Sequence, residues 1–476
     1  MKILFLSPPS KNLDFPPLGI AYITSFLNKN KHQATIFDGH NHSHEEIISA
    51  VKKIKPEIVG MTMNTSTRFE GLNLAKEIKH TMKIPIILGG PHPTLMPQQL
   101  LENYSYIDYI IRNEGEYVCL NLLNALEKKE ELNKIKGLSY KKNEKIVHNE
   151  RAESIKDLDM LPFPEYKFFN LKNYSKHPLH PKEFLKYPAA SIITSRGCPF
   201  NCTFCSSSDL WGHKIRFRKP KKIVDEIEEI YSKYNVKFFF FYDDNFTFDK
   251  KRAIEICKLI IKRGLHKKIK WLCKSEVNAI TEELLMWLKK AGCCVIEYGV
   301  EDGSSEGLKF FKKPHTMEQL FKAFELTHKA GLEIVAYFII GGDHESLENI
   351  QIKKMVIEKL NPTLITASLL LAYPATDIYE LGKKRGMWDE NIFLQHCVGR
   401  KYHFGVPIFY TKKMNLEKMF EASADIDYWW NKKKGNLKLK NILVIVVNLI
   451  KNRDFSKIYS MGKSVMINKI KNQNGV

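Results

Sequence analysis

SIITSRGCPFNCTFC, residues 191 to 205, decides how the rest of the chain is read. An apolar run ends there in a loop holding three cysteines, Cys198, Cys202 and Cys205, spaced C-x3-C-x2-C. Read as a strand, SIITS opens a series that continues through FFFFY (238–242), KWLCK (270–274), CVIEYGV (294–300), EIVAYFII (333–340) and LITASLLL (364–371). Each of the first five is followed by a helix-like segment. TEELLMWLKKAG, for example, sets Leu284, Leu285, Leu288 and Ala291 on one face. Six strand-then-helix units predict a partial (β/α)6 barrel with its site at the carboxyl ends of the strands.

Upstream, KILFL, ATIFD, EIVGM, PIILG and IDYII alternate with segments such as RFEGLNLAKEIKH. That pattern predicts a doubly wound, Rossmann-like parallel sheet. Ligands of such sheets lie beyond the carboxyl ends of the strands, which here carry Ser7-Pro8-Pro9, Thr62, Gly89-Gly90-Pro91-His92 and Glu114-Gly115-Glu116. GLSYKKNEKIVHN reads as a hairpin and DLDMLPFPEY, with Pro162 and Pro164, as a linker. The organisation is therefore an α/β one, with a sheet domain over 1–135, hairpin and linker over 136–185, the barrel over 186–385, and a basic, mostly helical extension over 386–476.

Nine cysteines, three of them in one loop, argue against a disulfide framework and for a reducing cytoplasm. MKILFLSPPS lacks the long apolar region of a signal peptide and reads as a first strand. The balance of 74 Lys+Arg against 53 Asp+Glu gives +21, a charge compatible with nucleic acid, an acidic membrane surface or a phosphorylated ligand. The lysines are scattered along nearly every helix, as a solvated surface would have them. Basic residues are not interleaved with aromatic ones on one face, so no nucleic-acid partner is expected. NILVIVVNLI (441–450) is far shorter than the roughly 20 residues that span a bilayer. It reads as a docking helix, or with its flanking lysines as an interfacial one that would make the protein peripheral to a membrane.

Three thiolates at one loop suit an iron–sulfur cluster with one iron left open, because a four-iron cluster normally takes four ligands. A structural zinc would need a second knuckle, and no paired C-x2-C exists elsewhere in the sequence. The triplet, with Phe204 before its last cysteine, resembles the cluster loop of the radical SAM enzymes. The resemblance implies a 4Fe-4S cluster whose open iron chelates S-adenosylmethionine and splits it reductively to a 5′-deoxyadenosyl radical. Further segments follow in order: WGHKIRFRKP after the loop, YDDNFTFD after the second strand, YGVEDGS on the fourth and LAYPATDIYE after the sixth. By that likeness Asp243 and Asp244 face the amino group of the methionine moiety, with helix capping as the competing reading, and Glu301 lines the cofactor pocket. Relatives carry an arginine where WLCKSEVN has Glu276, and Lys274 is expected to supply the missing positive charge. Their fifth-strand turn, G-x-P-G-E, is here Gly341-Gly342-Asp343-His344-Glu345.

PPLGIAYITSFL, ILGGPHPT and NEGE resemble the cobalamin-binding domain that is joined to such barrels. The resemblance implies a cobalamin held along Ser7, Thr62, Gly89, Gly90 and Glu114. The loop from Ser7 to Gly19 contains no histidine, while His40 and His42 follow the second strand, at a place suited to the rim or to a helix cap. The expectation is base-off cobalamin without a protein imidazole. The function implied is methylation of an unactivated carbon in a small-molecule or lipid substrate, with electrons from a donor such as flavodoxin or ferredoxin. A radical cyclase, rearrangement or oxidation enzyme is the alternative, and a nucleic-acid-binding protein with a structural cluster a more distant one. Methylthiotransferases place three cysteines in the first domain, where this chain has only Cys119.

Overall fold

The computed structural model describes residues 1–9, 15–174, 187–395, 402–403 and 405–435. The apolar run 441–450 and its flanking lysines lie outside the described residues.

The first sheet has seven strands: β1 (Lys2–Leu6), β2 (Gln33–Phe37), β3 (Ile58–Thr62), β4 (Ile86–Gly89), β5 (Tyr109–Ile111), β6 (Leu138–Lys142) and β7 (Lys145–His148). Their order is β2-β1-β3-β4-β5-β6-β7, the first five parallel and the hairpin β6-β7 added antiparallel to β5. Alternation along β1 sends Ile3 and Phe5 into one core and Leu4 and Leu6 into another, so helices cover both faces, as the unbroken apolar strands require. The carboxyl ends of β1, β3 and β4 consequently share one edge.

The second sheet contains β8 (Ala189–Ile192), β11 (Phe238–Phe241), β12 (Lys270–Ser275), β13 (Cys293–Glu301), β14 (Glu333–Ile340) and β15 (Leu364–Leu369), all parallel, in the order β15-β14-β13-β12-β11-β8. Between β8 and β11 runs a short antiparallel pair, β9 (Ser195–Arg196) with β10 (Arg216–Phe217). Six sequential parallel strands are the partial barrel expected. The first strand ends earlier than the SIITS reading, because Asp243 takes the amide of Thr194 (3.1 Å) and turns the chain out of the sheet.

Beyond the barrel, the helix Leu416–Lys433 lies along β15. Ser423 Oγ donates to the Ala367 carbonyl (2.6 Å), Asp427 accepts the Ala367 amide (2.6 Å), and Trp430 Nε1 donates to the Pro362 carbonyl (3.1 Å). The last strand's open edge is thus capped. The described part of the extension is this helix, a 3-10 turn at Glu390–Leu394 and a two-residue strand pair.

Candidate active site

Gly197 opens the cysteine loop at φ +104°, and a Cβ there would sit 2.5 Å from the Lys214 carbonyl oxygen. Only glycine fits that crossing. The loop is then pinned by Cys198 N to Gly212 O (3.3 Å), Thr203 N to Phe311 O (3.2 Å) and Cys205 N to Cys202 O (3.0 Å). Phe204 stands edge-on to Phe311, with centroids 5.5 Å apart, so its ring anchors the loop to the barrel. The Ser207 amide donates to Cys205 Sγ (3.5 Å). All three cysteines are free. Burial pushes the Cys198 thiol up to about 11 and Cys202 up to about 12, and it also raises Cys205, the most open of the three to solvent. Such thiols stay protonated at neutral pH unless a metal displaces the proton, so the donor set fits iron.

The two adjacent aspartates part company. Asp243 is 1% exposed, and its carboxylate accepts from Thr194 N, Thr194 Oγ1 (2.8 Å) and Ser195 Oγ. Its oxygens serve the turn after β8 rather than a ligand. Burial pushes its carboxyl up, against the opposing charge of Arg252. Neither aspartate caps the next helix, which starts on Asp249, whose side chain accepts the Arg252 amide (3.0 Å). Asp244 accepts from Ser207 Oγ and stands in electrostatic reach of Cys198 and Cys205.

The cation beside the cysteines is Lys313, which the sequence reading missed. Its side chain is 3% exposed, and its ammonium meets Glu276 at 2.5 Å and Glu301 at 3.5 Å. Burial opposes the Lys313 charge, but Glu301 and Glu276 outweigh it and hold the amine protonated; Cys202 lies in the same field. His315, fully buried, meets Glu276 at 3.1 Å. Burial acts to raise Glu276, and His315 with Lys313 overcomes it and holds the carboxyl low. Glu301 sits at φ +62°, beside a register shift in β13, and burial raises its carboxyl. A non-glycine residue held there is strained backbone of the kind found at ligand sites. Lys274 instead faces the barrel interior, its ammonium 4.5 Å from the Tyr242 ring centroid.

The fifth-strand turn is buried and polar. Lys353 puts its ammonium between Asp302 (2.6 Å) and Glu345, and His344 Nε2 meets Asp302 at 2.9 Å. Asp343 points outward to Arg385 (2.6 and 2.7 Å).

Between the strand ends of the two sheets lies a cavity of about 450 Å³, lined by Ser7, Thr62, Asn64 and Thr67 from the first sheet domain and by Tyr242 and Asp244 from the barrel. A neighbouring hollow of about 240 Å³ is lined by Thr62, Gly89, Gly90, Glu114 and Trp211. Gly90, at φ +96°, would put a Cβ 2.7 Å from Met63 O, so only glycine lets the chain after β4 pass this close to the end of β3. Such a cradle fits a large polar cofactor. Ser7 Oγ donates to Asp38 (2.9 Å) and accepts from the Gly39 amide (2.9 Å). Glu114 accepts from Arg196 Nη1 (3.0 Å), Arg216 Nη1 (2.7 Å) and the Ile155 amide (2.6 Å). It acts as a joint between the sheets, with its oxygens occupied by protein donors. Arg196, Arg216 and Glu116 belong to that joint; each lies in a segment the sequence singles out, but their pairing was not read from it. His40 is buried and stacked on Tyr174 (4.7 Å) rather than placed at the rim, and His42 pairs with Glu46 (3.4 Å) while Ser43 caps the helix His44–Ile54.

Two family models match the chain, the Radical SAM superfamily over residues 192–355 and the B12 binding domain over residues 10–123. An uncharacterized methyltransferase of Pyrococcus horikoshii, PH0819, is 33% identical over 390 residues, covering 80% of this chain and 83% of that protein. The anaerobic magnesium-protoporphyrin IX monomethyl ester cyclase of Cereibacter sphaeroides is 32% identical over 421 residues, covering 86% of this chain and 66% of the cyclase. In fold, the chain resembles OxsB, a cobalamin-dependent S-adenosylmethionine radical enzyme solved with aqua-cobalamin and S-adenosylmethionine. The TM-score is 0.74 at 19% identity, covering all of this chain and 76% of OxsB. The chain belongs to the radical SAM enzymes that carry an N-terminal cobalamin-binding domain, a family defined by a 4Fe-4S cluster, S-adenosylmethionine and cobalamin.

Proposed function

We propose that the protein methylates an unactivated carbon of a small-molecule substrate by cobalamin-dependent radical SAM chemistry. The observation that carries this reading is the shared cavity: Ser7 and Thr62 of the cobalamin-type domain line the same space as Tyr242 and Asp244 of the barrel. When bound, the cluster and S-adenosylmethionine supply a hydrogen-abstracting radical, and cobalamin supplies a transferable methyl group.

The protein's own part is placement. Cys198, Cys202 and Cys205 hold the cluster, and Phe204 keeps their loop against Phe311. Asp244 would take the methionine ammonium and Lys313 the methionine carboxylate, Lys313 bringing the positive charge that the sequence reading looked for in Lys274. Glu301 lines the cofactor pocket beside them. Ser7, Thr62, Gly89 and Gly90 would bound the corrinoid, and the joint at Glu114 holds the cobalamin-type domain against the barrel. Electrons come from an external donor such as flavodoxin or ferredoxin. No helix among the described residues is long and apolar enough to cross a membrane.

The test is anaerobic reconstitution with iron, sulfide and cobalamin, followed by incubation with methyl-labelled S-adenosylmethionine and extracts of the source cell. Label on a new carbon–methyl bond in a small molecule supports methylation. 5′-Deoxyadenosine made together with an unlabelled, ring-closed or oxidised product favours the cyclase reading, which the relative in Cereibacter sphaeroides motivates.

A further inference from the structure

Strand alternation sorts the barrel residues into an outward set, packed on helices, and a lumenal set. Phe238 and Phe240 of β11, Leu272 of β12, Val295 of β13 and Val335 of β14 form one interior cluster. Two residues further along their strands, on the same face, stand Tyr242, Lys274, Glu297 and Tyr337. The floor of the lumen is therefore apolar, and the layer above it carries charge.

Within that layer Lys274 and Glu297 are register neighbours on adjacent strands. Glu297 is 6% exposed; burial pushes its carboxyl up, while Lys274 and a hydrogen bond from Tyr337 oppose the shift. Lys274 is half-buried on β12. Its ammonium rests on the Tyr242 ring, and among the described residues no carboxylate forms an ion pair with it. Tyr242, 47% exposed, joins this layer to the large cavity, where Phe15 of the first domain packs on Phe240 (4.3 Å) and Tyr242 (5.4 Å).

Resting on the proposed function, we infer that Lys274, Glu297 and Tyr337 form a substrate subsite that receives the carboxylate of a small molecule, whose flat apolar body lies against Tyr242 and Phe15. Lys274 is the layer's one cation, half-buried against the Tyr242 ring and in no ion pair among the described residues, so it can receive one negative charge from the cavity side. A doubly charged phosphate would want a second cation or an arginine fork, and an amine would meet Lys274 as a like charge. Tyr337 can turn its one hydroxyl proton from Glu297 to the carboxylate's second oxygen. The methionine carboxylate is assigned to Lys313 instead, whose ammonium is bonded to Glu276 and Glu301 and to no member of this layer.

Isothermal titration of the anaerobically reconstituted full-length protein, with S-adenosylmethionine present, tests the assignment, using indole-3-propionate and its methyl ester as probes. The acid should bind about tenfold more tightly than the ester, Lys274→Met should cost the acid about tenfold and leave the ester unchanged, and Lys274→Arg should keep most of the preference. Equal affinity for acid and ester, no measurable binding of the acid, equal loss of both probes in Lys274→Met, or a loss confined to S-adenosylmethionine affinity would each overturn it. Iron content and circular dichroism of each variant separate these outcomes from misfolding. Formation of 5′-deoxyadenosine, measured on the same wild-type samples, tells failure of this inference from failure of the proposed function.

Discussion

Glu114 of the cobalamin-type domain and Arg196 of the barrel, two residues ahead of the first cysteine, form an ion pair at 3.0 Å with both side chains 5% exposed. The same guanidinium reaches Glu116 (2.6 Å) and faces the rings of Tyr22 and Trp211. Charges this deeply buried are tolerable only while each keeps its partners. Replacing Arg196 by Leu would strand Glu114 beside Arg216 alone and Glu116 without its guanidinium. The expected result is about 3–5 kcal/mol of lost stability, read by chemical denaturation, with weaker cobalamin retention on gel filtration.

The three-cysteine assignment makes the sharpest test. Reconstituted protein should hold about four irons per chain, and Cys198→Ala, Cys202→Ala or Cys205→Ala should each abolish the 5′-deoxyadenosine formed on reduction. A triple variant that still binds four irons and cleaves S-adenosylmethionine would remove the basis of the proposed chemistry.

Lys313 is expected to set the affinity for S-adenosylmethionine. Lys313→Met should weaken it by about tenfold or more, the worth of a charge-assisted hydrogen bond out of water, and Lys313→Arg should recover part of the loss. Equilibrium dialysis with labelled S-adenosylmethionine measures this directly. An unchanged dissociation constant in Lys313→Met would leave the lysine as a structural counter-ion of Glu276.

Asp302 predicts an acid limb in stability. Burial acts to raise its carboxyl, but His344 and Lys353 outweigh it and hold it well below the usual range. A carboxyl lowered by folding adds stability above its unfolded value, about 3.9, and that stability is lost as pH falls toward the folded value. Stability should therefore decline below about pH 4 in part through this group. Asp302→Asn should lose about 3–5 kcal/mol at pH 7 and show a shallower acid slope. Urea midpoints across pH 3 to 7 provide the comparison.

His40 is packed face to face with Tyr174, whose hydroxyl donates to Asp38, and it is buried inside the fold. The paramagnetic spectrum of the reduced cob(II)alamin form should show no superhyperfine splitting from a protein nitrogen, and His40→Ala should leave it unchanged. A splitting that disappears in His40→Ala would identify the imidazole as the lower ligand.

How much of this could be read from the sequence follows from how far apart the partners lie. The cysteine loop is contiguous, and the strands announce themselves by apolar runs at regular intervals, so both were legible. Glu114 and Glu276 stood in segments the sequence singles out, but Arg196 lies 82 residues from the first and Lys313 37 from the second, and nothing pairs them before folding. Asp243 and Asp244 looked equivalent on paper. Successive side chains at a strand end point to opposite faces, so one went to the turn and the other to the cavity. Helix capping, the competing reading for the pair, belongs instead to Asp249 at the actual start of the helix.

Phe15 ends as the small feature with the widest reach. It belongs to the first domain, yet its ring is seated on two residues of the barrel's second strand and the turn beyond it. Chimeras that join the cobalamin-type half of one relative to the barrel of another would therefore transplant part of the reaction chamber's wall along with the cofactor carrier. Halves of this architecture should be inherited, and engineered, as matched pairs, with the aromatic size at position 15 adjusted to whatever ring the recipient barrel presents at 240 and 242.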